Sequence, residues 1–227
     1  MSQARNGDDA PLLNRPPLRE QIRSIVRDWL ISGELAPGSD LNERELAEEL
    51  GASRTPVREA LLLLALEGFI SVSPYRGYFV APLTREEATE LYSLIGVLER
   101  HALLTGGLPS AECRHHMDEL DLERHTCMDD PARQIELDRA WHEELLSPSA
   151  SNTVLHEELD RVKNRITRYE QAFQKDPEES HDAMEEHRGI GEALDAGDLE
   201  KAADLLRAHW QAALDSLPHW LPDDAGG

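Results

Sequence analysis

The stretch from Leu41 to Leu66, LNERELAEELGASRTPVREALLLLAL, decides how the first third of this chain folds. Ser39 or Asn42 can cap a helix over about 43–50, and Gly51 supplies the left-handed residue that ends it. Ser53 caps a second helix, Pro56 sits in its first turn where a missing N–H costs nothing, and Gly68 stops it. Val57, Ala60, Leu61 and Leu64 share the side of this helix that reads as buried. Arg54, Thr55 and Arg58 fall within its first turn or so. Two short helices joined this way present the start of the second helix to a DNA major groove. An arginine there can bond guanine O6 and N7 together, a contact worth about 1–3 kcal/mol of discrimination. Thr55 suits a phosphate or a thymine methyl, and Ser53 with the exposed amides suits a phosphate. Arg44, at the start of the preceding helix, reaches the same groove.

Working outward, Pro16-Pro17 introduces a helix with Leu18, Ile22, Ile25, Val26 and Trp29 on one side, ending near Gly33. After Gly68 come two short apolar runs, Ile70 to Ser73 and Tyr78 to Val80, joined by Pro74-Tyr75-Arg76-Gly77, a hairpin turn. Three helices and a hairpin over 15–82 make a winged helix-turn-helix. Arg76 and Gly77, at the hairpin tip, are placed to enter a minor groove. Arg19, Arg23 and Arg27 form a stripe at i+4 spacing that touches phosphate or pairs with Glu20 and Asp28. Residues 1–14 are polar, unpatterned and expected to be disordered.

From residue 83 the pattern changes to long amphipathic helices without strands. Thr84, Ser110, Pro131, Ser151 or Asn152, Pro177 and Asp198 start six of them, the fourth running to about Lys175 and the last to about Leu217. Short connections between them predict one antiparallel all-α bundle over 83–218, so the chain as a whole is mainly α, with a tail at 219–227 frayed from Pro222 onward.

The charge of -22 looks hostile to DNA, but its distribution matters more than its sum. Residues 1–82 carry nine arginines, no lysine and twelve acidic residues; residues 83–227 carry fourteen basic and thirty-three acidic ones. DNA binding must therefore rest on a few placed arginines and weaken with salt. Cys113 and Cys127 are too few for a disulfide scaffold and too far apart for a zinc knuckle, and read as two reduced thiols. The apolar run Leu61 to Leu66 is far short of a membrane span, and the N-terminus lacks an apolar signal region. A soluble cytoplasmic protein is expected.

A second constellation lies in the bundle. Asp138 and His142 are four apart on one helix face; His187 lines up with Ala183, Ile190 and Leu194, and His209 with Ala202, Leu206 and Ala213. Taken singly, each of these histidines reads as a core or surface residue, and His101 and His116 also lie near apolar faces. Burying all four groups unpartnered would be costly, and a divalent cation satisfies them together. Such a donor set suits zinc first, with nickel, cobalt or manganese also possible, over magnesium.

The segment ELAPGSDLNERELAEELGASRTPVREALLLLALEGFISVSPYRGYFVAPLT resembles the DNA-binding domain of the GntR family of bacterial transcription regulators. The helical remainder resembles the FadR-type branch with its FCD effector domain. The resemblance implies a homodimer on a short palindromic operator, released or recruited by a small-molecule effector. It aligns Arg44, Arg54, Thr55 and Arg58 with base and phosphate contacts and Gly77 with the wing tip. The spacing DxxxH, then EH within EEHRGIGEALDAGD, then a later histidine, is similar to the metal-binding FCD domains. That similarity implies Asp138, His142, His187 and His209 as ligands, and Asn152 as a further site position. Relatives often carry a carboxylate-clamping arginine where this chain has Ile95; Arg100, Arg165 and Arg168 are the substitutes for effector binding. The expectation is a metal-containing, effector-responsive repressor without enzymatic turnover. A metal-free sensor using the same residues, and a metal-dependent hydrolase fused to a DNA-binding head, are the alternatives.

Overall fold

The computed structural model describes residues 16–173, 177–218 and 221–223. The expected N-terminal tail, the end at 224–227 and residues 174–176 near the expected end of the fourth bundle helix lie outside them. The chain divides into two compact units, one of residues up to 30 plus 39–81, the other of 31–38 plus 82 onward.

In the smaller unit, α1 (Leu18–Ser32), α2 (Glu43–Glu49) and α3 (Arg54–Leu66) bury one stripe each. Ile22, Val26, Leu46, Val57, Ala60, Leu61 and Leu64 form its core, with Phe69, Ile70 and Val80 from the sheet side. The face of α3 expected to be buried is the buried face. Asn42 caps α2 through a bond accepted from the Arg44 amide, whereas Ser53 stands at the cap of α3 with no capping bond from its hydroxyl. The hairpin of β2 (Ile70–Ser73) and β3 (Gly77–Val80) gains a third strand, β1 (Asp40–Leu41), in the order β1-β3-β2. Sequence periodicity misses β1 because two residues, one of them an aspartate, carry no alternation. Its register, Asp40 opposite Phe79 and Leu41 opposite Tyr78, ties the segment before α2 to the wing.

The larger unit is all helical: α4 (Arg85–Gly106), α5 (Ala111–Thr126), α6 (Pro131–Leu146), α7 (Thr153–Ala172), α8 (Pro177–Asp195) and α9 (Leu199–Asp215). A 3₁₀ turn over Ser147–Ser149 follows α6. Side-chain caps from Thr84, Ser110, Asp130, Asn152 and Asp198 fix five of the helix starts. The central helix α4 packs against α9 and α7, while α5 pairs with α6 and α8 with α9. Residues 221–223, expected to belong to a frayed tail, instead return to the start of α4. Leu221 is buried, and the Pro222 and Asp223 carbonyls accept from the Arg85 and Glu86 amides at 2.8 and 3.2 Å. Those amides head a helix and have no partner within it, which explains why the chain end is held.

Near the C-terminus of α4, Gly106 runs against the 3₁₀ turn: a Cβ there would lie 2.7 Å from the Ser149 nitrogen and 2.9 Å from the Ser149 Cβ. Backbone cannot yield cheaply, so Gly106→Ala should cost about 2 kcal/mol in denaturant unfolding. The control Gly189→Ala, where the nearest atom is a leucine methyl at 3.9 Å, should instead stabilise its helix by about 0.5–1 kcal/mol.

Candidate metal centre and DNA-reading face

Helix α6 turns Gln134, Leu137, Asp138, Trp141, His142 and Leu145 inward, the i, i+3, i+4 stripe its sequence sets out. His187 comes from α8 and His209 from α9, each in line with the aliphatic residues of its own stripe. All four side chains are buried, and one donor atom from each lies within 4.8 Å of the others. Ligands around one zinc ion stand roughly 3.4 Å apart at metal–nitrogen distances near 2.1 Å, so a small contraction would close the set. The Nε2 atoms of His142 and His187 have no hydrogen-bond partner although both side chains are at most 1% exposed.

A carboxylate stands at the opposite nitrogen of each imidazole. His187 Nδ1 hydrogen-bonds Asp121 at 2.9 Å and His209 Nδ1 hydrogen-bonds Glu186 at 2.7 Å, whereas His142 Nδ1 lies 2.9 Å from Glu99 without hydrogen-bond alignment. A carboxylate at Nδ1 accepts that nitrogen's proton, the tautomer that keeps the Nε2 lone pair for the centre. Trp141 stacks on His187 with ring centroids 3.7 Å apart and fixes that ring's plane. Asp138 is in turn held at 2.9 Å by the buried guanidinium of Arg124.

Glu99 is the deepest of these groups, at 0% exposure. It meets Lys163 Nζ at 2.7 Å, accepts from Trp210 Nε1 at 2.6 Å and faces His142. Burial pushes its carboxyl up, but His142 and Lys163 more than offset this and hold it down at about 2. Asp121 goes the other way: burial, reinforced by Asp138 and Asp118, lifts it to about 7 against the pull of Arg124. Burial lowers both His142 and His187, keeping the imidazoles neutral as metal ligands require.

Among the described residues, the cluster is bordered by two cavities. One of about 20 Å³, beside Asp138, His142 and Lys163, has room for about one water. The other, of about 360 Å³, is lined from α5, α6 and α8 by Met117, Asp121, Trp141, Met184, His187 and Gly191 among others. None of the four residues expected to bind an effector lines either. Arg100 pairs with Glu200 and Asp204, Arg165 with Glu87, Asn152 caps α7, and Arg168 is buried two turns past Arg161 in α7. Sequence reasoning passed over Glu99, Asp121, Arg124 and Lys163.

In the smaller unit Arg44, Ser53, Arg54, Thr55, Arg58, Arg76 and Gly77 are all exposed. Gly77 has φ +84°, which an L side chain rarely adopts, so the turn requires glycine there. Arg58 makes a two-pronged bond to Glu43, with Nε and Nη2 each at 2.9 Å. Arg76 pairs with Asp40 and lies 4.4 Å over the Phe79 ring. Along α1, Arg23 pairs with Glu20 and Glu67, which is the salt-bridged form of that stripe.

A winged helix-turn-helix followed by an all-helical domain is the architecture of a DNA-binding regulator with a second, separate domain. Residues 18–80 match the model of the bacterial regulatory proteins of the gntR family, and residues 90–212 match the FCD domain. The chain belongs to the GntR family and is a DNA-binding transcriptional regulator with an FCD effector domain. It is 32% identical over 209 residues to an uncharacterized HTH-type regulator of Streptomyces ambofaciens, covering 88% of this chain and 84% of that one. A probable D-xylose utilization operon repressor of Paenarthrobacter nicotinovorans is 27% identical over 212 residues, 91% of this chain and 92% of its own. Among solved structures, E. coli McbR/YncC superposes with TM-score 0.74 at 25% identity, covering 89% of this chain and 98% of that one. A putative GntR regulator from Rhodococcus sp. RHA1 gives 0.72 at 26%, covering 88% and 96%. No described helix is long and apolar enough to cross a membrane.

The Glu99–Lys163 pair makes a direct prediction. In metal-free protein, Lys163→Met leaves a buried carboxylate short of its cation and should cost about 3–5 kcal/mol in denaturant unfolding. Glu99→Gln added to it removes both charges and should recover more than half of that loss.

Proposed function

We propose that this protein is a repressor whose homodimer binds a palindromic operator and whose FCD domain holds a divalent transition metal, zinc first, on Asp138, His142, His187 and His209. The observation that carries the reading is the pair of buried, partnerless Nε2 atoms on His142 and His187, aimed into a cluster with a carboxylate. Charge supports this reading. Glu99, Asp121, Asp138 and Glu186 gather around the cluster against only two cations, Lys163 and Arg124. The excess of carboxylates favours a bound cation. When bound, the metal supplies an electrophilic anchor for a ligand's oxygen or nitrogen; the chain's own carboxylates orient the imidazoles, and Trp141 shields one face.

The non-enzymatic reading is supported by the two carboxylates next to ligands in sequence. Glu143 pairs with Arg139 on the surface and Glu186 holds His209, so neither stands free as a general base. Arg44, Arg54, Thr55 and Arg58 read the major groove, Ser53 a phosphate, and Arg76 with Gly77 the minor groove. For the effector, the cavity of about 360 Å³ is of ligand size and the smaller one is not. It touches the metal centre through Asp121 and His187. The reading therefore moves the effector away from Arg100, Asn152, Arg165 and Arg168. An effector can shift DNA affinity only through unequal affinity for two arrangements of the dimer.

Protein purified without chelators or nickel resin should carry close to one metal per chain by elemental analysis. Asp138→Ala with His142→Ala should abolish it, and Asp121→Asn or Glu186→Gln should weaken metal binding roughly 10–100-fold. Retained metal in the double variant would end the assignment.

The cavity makes its own prediction. Gly191 borders it with no atom within 4 Å of an added Cβ, so Gly191→Leu fills it. This variant should keep its metal and its operator affinity but lose ligand-induced release, read by fluorescence anisotropy against a metabolite panel.

A further inference from the structure

The DNA-binding unit holds more acid than base, yet two of its acids are placed with care. We propose that Asp40 and Glu43, at the two ends of the β1–α2 corner, are positioning residues that set the guanidinium groups of Arg76 and Arg58 for DNA readout.

Glu43 opens α2, and only 12% of its side chain is exposed, against 59% for Arg58. It therefore sits behind the arginine rather than beside it. Its two oxygens take Nε and Nη2 of Arg58 at 2.9 Å each, the two-pronged geometry that fixes a guanidinium's plane. That leaves Nη1 and the outer hydrogen of Nη2 facing away, the edge that matches guanine O6 and N7. The same carboxylate reaches Arg54 Nη2 at 3.7 Å, so one acid orders two arginines in the first turns of α3. The pairing with Arg58 holds Glu43's carboxyl below its usual range despite partial burial.

Asp40 repeats the device on the wing. Its place opposite Phe79 in the β1–β3 ladder brings its carboxylate to Arg76, whose guanidinium lies over the Phe79 ring at 4.4 Å. A turn arginine gripped by a carboxylate and an aromatic face loses the rotamers it would otherwise sample, so less entropy is lost on binding DNA. Each acid also cancels one charge that would bind any phosphate. The corner thus trades nonspecific affinity for discrimination, which is how a domain with nine arginines and twelve acids over residues 1–82 reads sequence.

The test uses the full-length protein, a duplex selected by it from a random-sequence library, and an unselected random duplex. Glu43→Gln should lower the ratio of selected to random affinity at least tenfold. It should also steepen the salt dependence on random DNA by about one counterion, as Arg58 is released to phosphate. In an Arg58→Ala background the same substitution should leave only a smaller effect, the part that runs through Arg54. Glu43→Asp keeps the charge but withdraws it by one methylene, so it should lower discrimination without steepening the salt slope. Thermal melting by circular dichroism checks that each variant folds; if Glu43→Gln does not, Glu43→Asp decides. An unchanged ratio in the decisive variant, or an equal effect with and without Arg58, overturns the positioning role. If Arg58→Ala itself leaves discrimination intact, Glu43 has nothing to position and the DNA-reading assignment of Arg58 falls with it.

Discussion

One buried carboxylate organises the effector domain. Glu99 is fully enclosed, and its partners arrive from three other helices: His142 from α6, Lys163 from α7 and Trp210 from α9. Taking an ion from water costs several kcal/mol, and the attraction of its partner repays this only in good geometry with the other lone pairs satisfied. Small slips of α6, α7 or α9 against α4 would forfeit that compensation. Aliphatic packing among Ile95, Leu103, Leu145, Ile166 and Leu206 supplies the bulk of burial but tolerates rearrangement. The Glu99 network does not, and it thereby fixes where His142 stands.

The same logic, at the surface and at lower cost, governs the DNA-reading unit. Arg58 and Arg76 are exposed, so their pairs with Glu43 and Asp40 contribute little to stability. What the pairs supply is orientation. An acidic residue that looks adverse in a charge count becomes useful once the fold places it behind an arginine instead of in front of it. The net charge of the domain is therefore a poor guide to what its few cations do.

The fold was largely legible because its signals are local. Asn42, Pro56, Gly68 and Thr84 act on their own turns, and the apolar stripes of α3, α6, α8 and α9 repeat at helical spacing. Asp138, His142, His187 and His209 were placed inward by the same periodicity, and the structure brings them together. Of the supporting groups, Glu99, Lys163 and Arg124 were missed although each carried a signal, and Asp121 carried none as clear. Glu99 interrupts the stripe Ala88, Tyr92, Ile95, Ala102; Lys163 interrupts Leu155, Leu159, Ile166; Arg124 follows Met117 and Leu120. A charged residue in register with an apolar stripe is buried and must be partnered, although sequence does not name the partner. Arg100, Arg165 and Arg168 drew attention for their charge, yet the first two serve ion pairs, with Glu200 and Asp204 and with Glu87, and line neither cavity. The strand β1 escaped because two residues have no period.

The cluster is held mainly from behind its ligand atoms. Every imidazole has a carboxylate behind it, and Asp138 has Arg124, so the ligand set is held from outside as well as by any ion. Rigid ligands favour a metal that stays bound while something else changes. The element with latitude is Asp121, whose carboxyl is lifted to about 7 and which borders both His187 and the larger cavity. A ligand entering that cavity meets Asp121 and Trp141, the two groups that fix His187. Contacts made there therefore act on α5, α6 and α8 together, through the residue that joins α8 to the centre. Glu99 keeps α4, α7 and α9 in place meanwhile. One side of the histidine–aspartate cluster is thus clamped by Glu99 and the other borders the larger cavity, an asymmetry that would suit the effector role proposed above.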